Sequence, residues 1–293
     1  MLDFRIETFL CVCRKMNFTR AAEELNLTQP AVSQHIKYLE EYYGQKLFDY
    51  DKRKLKLTPA GKALKNSMEA LTHDVDIVRE KIAKSSDKKY YHIGATRSIG
   101  GYVLPPKISK YIENNPDIAI DITDTDTKIL MGLLDAGSID VAFVEGYFDK
   151  QKYSHKLMRR ENMIAVCSKD YEIGKVEKIS DLFSHRLILR EKGSGTREVF
   201  TRYLAEYGWS EEAFSSTLTV NAPHIINALL HEKMGISFVY HSVVEKSLAD
   251  GELRQIEIPD FNLSHEFNAV WRSESLFASE YERLAEWFCR YDT

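Results

Sequence analysis

The sequence predicts an α/β protein: an α-rich head, a long linking helix, and a larger body in which strands alternate with helices. Three observations carry this. Short helical patterns with capping residues fill the first 61 positions, an apolar stripe at heptad spacing follows, and β-like runs then alternate with helical ones to the end. The chain has 293 residues, and a prior of about 150 residues per domain suggests two globular units. With 44% hydrophobic and 29% charged residues and only 14 Gly and 7 Pro, disordered, collagen-like and low-complexity classes are excluded. The net charge of −4 hides an asymmetry: residues 1–65 hold 12 Lys/Arg against 8 Asp/Glu, while residues 66–293 hold 28 against 36. A basic head on an acidic body points to two partners of different kinds.

In the head, Ile6, Phe9, Leu10 and Cys13 repeat at helical spacing and predict a helix over 3–16. A second helix opens after Asn17, an N-cap, with Ala21, Ala22 and Leu25 on one face. Thr28 caps a third that runs to about residue 42, and Pro30 fits its first turn because the missing N–H needs no partner there. Val32, Ile36 and Leu39 form its inward stripe; Gln29, Ser33 and Lys37, with Pro30 and Gln34 beside them, face outward. That outer face is short, polar and nearly free of acid, which suits entry into a DNA major groove. Gln and Ser reach base edges, and Thr28 with the helix N-terminus can bond phosphate. After Gly44 and Leu47-Phe48, the run Lys52-Arg53-Lys54-Leu55-Lys56-Leu57 alternates as a small β-wing with basic residues for the phosphate backbone.

Thr58-Pro59 starts a long helix to about residue 85, in which Leu64, Met68, Leu71, Val75, Val78 and Ile82 form an a/d stripe. Such a narrow seam predicts dimerisation through this helix; packing on the chain's own body is the alternative. The polar stretch 85–89 reads as a hinge.

From residue 90 the pattern predicts a strand at 92–95, a helix near 101–113, a strand at 118–122, a helix near 127–136 and a buried strand at 141–144. It continues with a strand at 187–189, a helix from about 196, a strand at 218–220, a helix from about 223 and a strand at 236–239. Ligands of open α/β sheets sit beyond the carboxyl ends of the strands. Two junctions there, 96–101 and 192–197, combine hydroxyls, glycines and backbone N–H groups at helix starts, which suits an anion. Neither is a nucleotide fingerprint. Glu145 follows the strand at 141–144: if it faces a ligand it would hold an ammonium, and a solvated loop residue is the alternative reading.

No Cys/His spacing suggests a metal site. Asp3, Arg5 and Glu7 precede any apolar run and no apolar stretch reaches 18 residues, so the expectation is a cytoplasmic protein with reduced, buried thiols and no membrane contact. No nucleophile elbow, ligand cluster or Walker motif argues for an enzyme, and no cofactor is expected.

The ordered series Phe18-Thr19-Arg20-Ala21-Ala22, Leu25, Thr28-Gln29-Pro30-Ala31-Val32-Ser33, Leu39-Glu40, Gly44, Leu47-Phe48, Leu57-Thr58 and Gly61 resembles the winged helix-turn-helix of LysR-type transcriptional regulators. The resemblance implies a recognition surface of Thr28, Gln29, Pro30, Ser33, Gln34 and Lys37, with Arg53 on the wing. Where the family often has a basic residue after Leu-Phe, this chain has Asp49-Tyr50-Asp51. The remainder is similar to the family's effector domain, two α/β lobes like type 2 periplasmic binding proteins, with crossing strands at 163–166 and 267–270. By that resemblance Thr96, Ser98, Ile99, Ser194, Gly195, Thr196 and Asn221 line the cleft, with Glu145 close by, and the domains run 1–58 (head), 59–89 (linker) and 90–293 (effector domain). Lobe I then takes about 90–162 and 269–293, and lobe II about 163–268. The runs 143–148 and 189–197 are similar to the branch serving cysteine and sulfur assimilation or carbon fixation, although Ala222-Pro223 departs from its wording.

The function these readings imply is a sequence-specific transcriptional regulator, an activator modulated by a small anionic or zwitterionic metabolite as co-inducer. It would bind a pseudo-palindromic DNA site as a dimer or dimer of dimers, with RNA polymerase as a further candidate partner. Oxidation of Cys167 or Cys289 as the switch, and an enzyme on a two-lobed fold, are the alternatives.

Overall fold

A computed structural model describes residues 3–52, 54–83 and 89–290. The chain divides into two compact units: residues 1–87 with 135–138 and 275–277, and the rest of the chain.

The first unit opens with three helices, α1 (Phe4–Lys15), α2 (Phe18–Leu25) and α3 (Gln29–Tyr43). Each starts on a side-chain cap: Asp3 accepts from Arg5 N, Asn17 from Thr19 N and Arg20 N, and Thr28 from Ala31 N. Each ends on a left-handed residue, Met16, Asn26 and Gly44. Their shared core is Phe9, Val12, Ala21, Val32, Ile36, Leu39 and Leu47, all buried. The wing is an antiparallel pair, β1 (Phe48–Asp51) and β2 (Lys54–Leu57), with Phe48 opposite Leu57. Thr58 ties the wing to the next helix: its hydroxyl donates to Lys46 O (2.6 Å) and accepts from Gly61 N (2.9 Å). Gly61 is required there because a Cβ would collide with the Leu47 carbonyl.

The linking helix α4 spans Pro59–Ala83; the last two residues of its expected span and the expected hinge, up to 88, lie outside the described residues. Its stripe divides. Leu64 and Met68 pack against the head core, whereas Leu71, Val78 and Ile82 are 40%, 39% and 80% exposed in the single chain.

The second unit runs β3 (Lys89–Ala95), α5 (Arg97–Tyr102), α6 (Leu104–Asn114), β4 (Ile118–Asp124), α7 (Thr127–Asp135), β5 (Val141–Val144) and the long β6 (Tyr153–Ser168). It continues with β7 (Arg186–Arg190), α8 (Gly195–Glu206), β8 (Ser216–Val220), α9 (Pro223–His231), β9 (Ile236–Tyr240) and α10 (His241–Ala249). The last elements are β10 (Leu253–Ile256), β11 (Leu263–Arg272) and α11 (Ala278–Arg290). The strands form one sheet path, β4-β3-β5-β11-β6-β9-β7-β8, with β10 on β6. Two parallel sets, β4-β3-β5 and β9-β7-β8, are each wound with helices and joined by the antiparallel pair β6–β11. This is the two-lobed α/β body.

One expected element differs. In place of a helix over 101–113 there are two, broken at Val103. Pro105 and Pro106 lack the N–H groups that a continuous helix would need, and Leu104-Pro105 starts a new first turn.

Candidate functional site

The head presents a groove of about 600 Å³ between the start of α2, the outer face of α3 and β1. Gln29, Ser33 and Lys37 line it, joined by Lys46 and Tyr50, which the sequence reading did not select. Gln29 Nε2 donates to Ser33 Oγ at 2.8 Å, so two polar side chains one helical turn apart are held together on the outer face of α3. Thr28, Pro30 and Gln34 are exposed on the same helix start. The Thr28 oxygen is used in capping, which leaves its hydroxyl proton for a phosphate. Lys37 makes only a surface pair with Glu41, at 3.6 Å. Arg53 lies outside the described residues; Lys54 and Lys56 of β2 are exposed, and Lys56 pairs with Asp51. The acidic 49–51 stretch therefore offsets part of the wing's own positive charge.

In the body, the carboxyl ends of β3, β5 and β7 meet at one carboxylate. Glu145, the residue after β5, is 1% exposed. Thr96 Oγ1, just past β3, donates to Glu145 Oε2, and Thr196 Oγ1, in the first turn of α8, donates to Oε1 at 3.1 Å. Ser98 Oγ lies 3.2 Å from Thr196 Oγ1. Burial pushes the Glu145 carboxyl above the usual range, opposed by the hydroxyls of Thr96 and Thr196, nearby Arg190, and Ser98. The solvated-loop reading of Glu145 is thereby excluded.

Gly195 is packed so tightly that a Cβ would lie 3.1 Å from Glu145 Cγ and from Gly146 Cα, and a Cβ on Gly146 would collide with Thr127 Oγ1. Ser194 is buried at the start of α8, and its hydroxyl caps nothing. Ile99 is fully buried as core, so it shapes the wall without offering a polar contact. Asn221 is exposed at the rim and contributes its carbonyl, which accepts from Arg97 Nη1 at 2.8 Å.

Arg97 also pairs with Glu191, Asp126 (3.6 Å) and Asp124 (3.8 Å), binding the first strand set to the second. Arg190, 4% exposed, donates from Nε and Nη2 to Glu191 at 2.8 and 2.9 Å. Burial raises the carboxyls of Asp124 and Asp126. Arg97, Asp124, Asp126 and Arg190 were missed from sequence, although strand carboxyl ends at 124 and 190 were a usable signal. The helix after Thr96 has only six residues, so the polar contact at this junction is the Thr96 hydroxyl on Glu145 rather than a long helix dipole.

Three thiols are buried, Cys11, Cys13 and Cys167, and burial raises all three; Cys13 is pushed up to about 12. Cys289, expected to be buried, is partly exposed. Among the described residues no helix is long and apolar enough to cross a membrane.

Comparisons with known proteins match both the head and the body. Residues 5–62 match the bacterial regulatory helix-turn-helix family of lysR type, and residues 85–291 match the LysR substrate binding domain. The transcriptional regulator CysL of Bacillus subtilis is 28% identical over 269 residues, covering 90% of this chain and 89% of its own. A RuBisCO operon transcriptional regulator of Acidithiobacillus ferrooxidans is 26% identical, covering 91% of this chain and 86% of its own. Full-length LysG of Corynebacterium glutamicum, solved with bound effector Arg, superposes with a TM-score of 0.73 at 14% identity over 99% of this chain and 98% of its own, a likeness of fold. The chain belongs to the LysR family of transcriptional regulators, in which a DNA-binding helix-turn-helix head is joined to a two-lobed effector-binding body; it is a regulator and not an enzyme.

Proposed function

We propose that the chain reads a pseudo-palindromic promoter site through Thr28, Gln29, Pro30, Ser33, Gln34 and Lys37, with Arg53 on phosphate. In this reading the body answers to a small anionic or zwitterionic metabolite held by Thr96, Ser98, Ile99, Glu145, Ser194, Gly195, Thr196 and Asn221. The observation that carries it is the convergence of Thr96, from one strand set, and Thr196, from the other, on the Glu145 carboxylate. A ligand at that point touches both lobes, and so distinguishes open from closed arrangements by its affinity for each. The bound arginine of LysG supports a small molecule as the occupant of such a fold.

Two chains pair through the exposed part of the α4 stripe, at Leu71, Val78 and Ile82, and set the spacing of two recognition helices. Dimers of dimers, action in the cytoplasm, and activation by contact with RNA polymerase complete the reading. Selection of bound fragments from genomic DNA, followed by gel shifts with and without candidate metabolites, tests it. A ligand-dependent change of affinity or footprint is expected; DNA binding indifferent to every small acid and amino acid would refute ligand control.

A further inference from the structure

The cleft holds two buried demands of opposite sign. The Glu145 carboxylate is surrounded by hydroxyls and, among the described residues, has no cation within hydrogen-bonding distance. Near it, Arg190 Nη1 is buried without an acceptor, although the rest of its guanidinium is bound to Glu191. Ser194 Oγ and Thr127 Oγ1 are also buried without partners. The residues that carry these atoms cluster: Thr127 abuts Gly146, Gly146 and Glu145 abut Gly195, Ser194 precedes Gly195, and Arg190 Nη2 lies 3.9 Å from Asp126, one residue before Thr127. Folded proteins seldom leave buried polar atoms unpaired, and an isolated buried charge is costlier still.

The charge balance chooses between ligand classes. Asp124, Asp126, Glu145 and Glu191 stand against Arg97 and Arg190 among the described residues of the cleft. A ligand carrying only negative charge would enter an excess of carboxylates and find the Thr96 and Thr196 hydroxyls already donated. A ligand carrying an ammonium as well meets both demands.

We infer that the effector is a zwitterion, an amino acid or a close derivative with a free amine, whose ammonium is held by Glu145 and whose carboxylate is held by Arg190 Nη1 and Ser194 Oγ. This rests on the effector cleft proposed above and narrows it. Glu145 selects for the amine and rejects plain acids; Arg190 and Ser194 select for the carboxylate.

The test is calorimetry and thermal shift on the full-length protein, with the twenty L-amino acids, their N-acetyl and methyl ester forms, and a set of amine-free dicarboxylates. At least one free amino acid gives saturable heat, and its N-acetyl and ester forms each bind at least about ten-fold more weakly. Glu145→Gln loses about the same factor for the free amino acid and no longer prefers it over the N-acetyl form. Ser194→Ala, which removes no existing hydrogen bond, folds normally and weakens binding several-fold, with less effect on the ester. Saturable binding of an amine-free acid, unaffected by Glu145→Gln, overturns the zwitterion and leaves the cleft standing as an effector site. Silence across the whole panel overturns both.

Discussion

Thr196 Oγ1 donates to Glu145 Oε1 across 3.1 Å, joining two positions 51 residues apart in sequence and on opposite strand sets. The bond holds a buried carboxylate that, among the described residues, has no cation within hydrogen-bonding distance, so its two ends respond oppositely to substitution. Thr196→Val leaves a buried acceptor short of a donor and costs about 1–3 kcal/mol of stability. Glu145→Gln keeps the size and an acceptor while removing the buried charge, and raises stability by about 1 kcal/mol at neutral pH without ligand. Thermal melts of the two variants, followed by Trp fluorescence, check the signs. A destabilised Glu145→Gln protein would show that the ionised group is itself structural. A binding residue that lowers stability is a common trade.

The Gln29–Ser33 pair at 2.8 Å makes a second prediction. Gln29→Ala and Ser33→Ala each cost about 1–3 kcal/mol on the specific site and relax preference at the same base step. Because one holds the other, the double variant costs less than the sum. Lys37→Ala and Arg53→Ala weaken specific and scrambled DNA alike and reduce the salt slope by about one each. Gel shifts across salt concentration separate the two behaviours.

Much of this was readable from sequence, and the gaps have physical causes. Asn17, Thr28 and Gly44 announce helix ends because each bonds or bends locally, so the head follows from neighbours within four residues. The buried strands around Val141 and Ile236 were equally plain. β6 was seen only in its apolar half, because Lys156, Arg159 and Arg160 interrupt the first half, where β11 rather than a hydrophobic layer holds it. Arg190 was invisible for a different reason. A charged residue is buried only through partners, and its pairing with Glu191 and Asp126 appears only once the strand ends are brought together in the folded body.

The division of the α4 stripe predicts two phenotypes from similar substitutions. Leu71→Glu and Ile82→Glu alter side chains that are 40% and 80% exposed, so each leaves the monomer folded and weakens self-association. Sedimentation velocity should show at least a ten-fold higher dissociation constant, and gel shifts a loss of full-site binding. Leu64→Ala packs against the head core and instead costs about 2 kcal/mol of head stability, with self-association retained. Unchanged association in both Glu variants would move the dimer seam elsewhere.

Thiol chemistry separates ligand control from an oxidation switch. Cys13, at about 12, is a poor nucleophile near neutrality, and burial raises Cys11 and Cys167 as well. A disulfide-exchange reagent at pH 8 should therefore label Cys289 first and reach the other three only on unfolding. Mild peroxide should leave DNA binding unchanged. Rapid labelling of Cys167 in the folded protein would revive the redox reading.

Glu24 contributes to the acid sensitivity of the head, beside Glu40, whose carboxyl, against the opposing effect of burial, is also lowered by Lys46 and the Leu47 and Phe48 N–H groups. Hydrogen bonds from Lys15 (2.5 Å) and Arg14 (3.2 Å) pull its carboxyl down to about 2, from an ordinary value of 4.5. A depressed folded value stabilises the head above about 4.5 and loses that stabilisation as the pH falls toward 2. All three Trp, at 209, 271 and 287, lie in the body, so a urea transition seen by circular dichroism but not by Trp fluorescence belongs to the head. That transition should move to lower urea between pH 6 and pH 3 in the native protein. In Glu24→Gln it should begin lower at pH 6 and move less. Equal displacement in both proteins would mean that the pair to Lys15 and Arg14 is too solvated to matter.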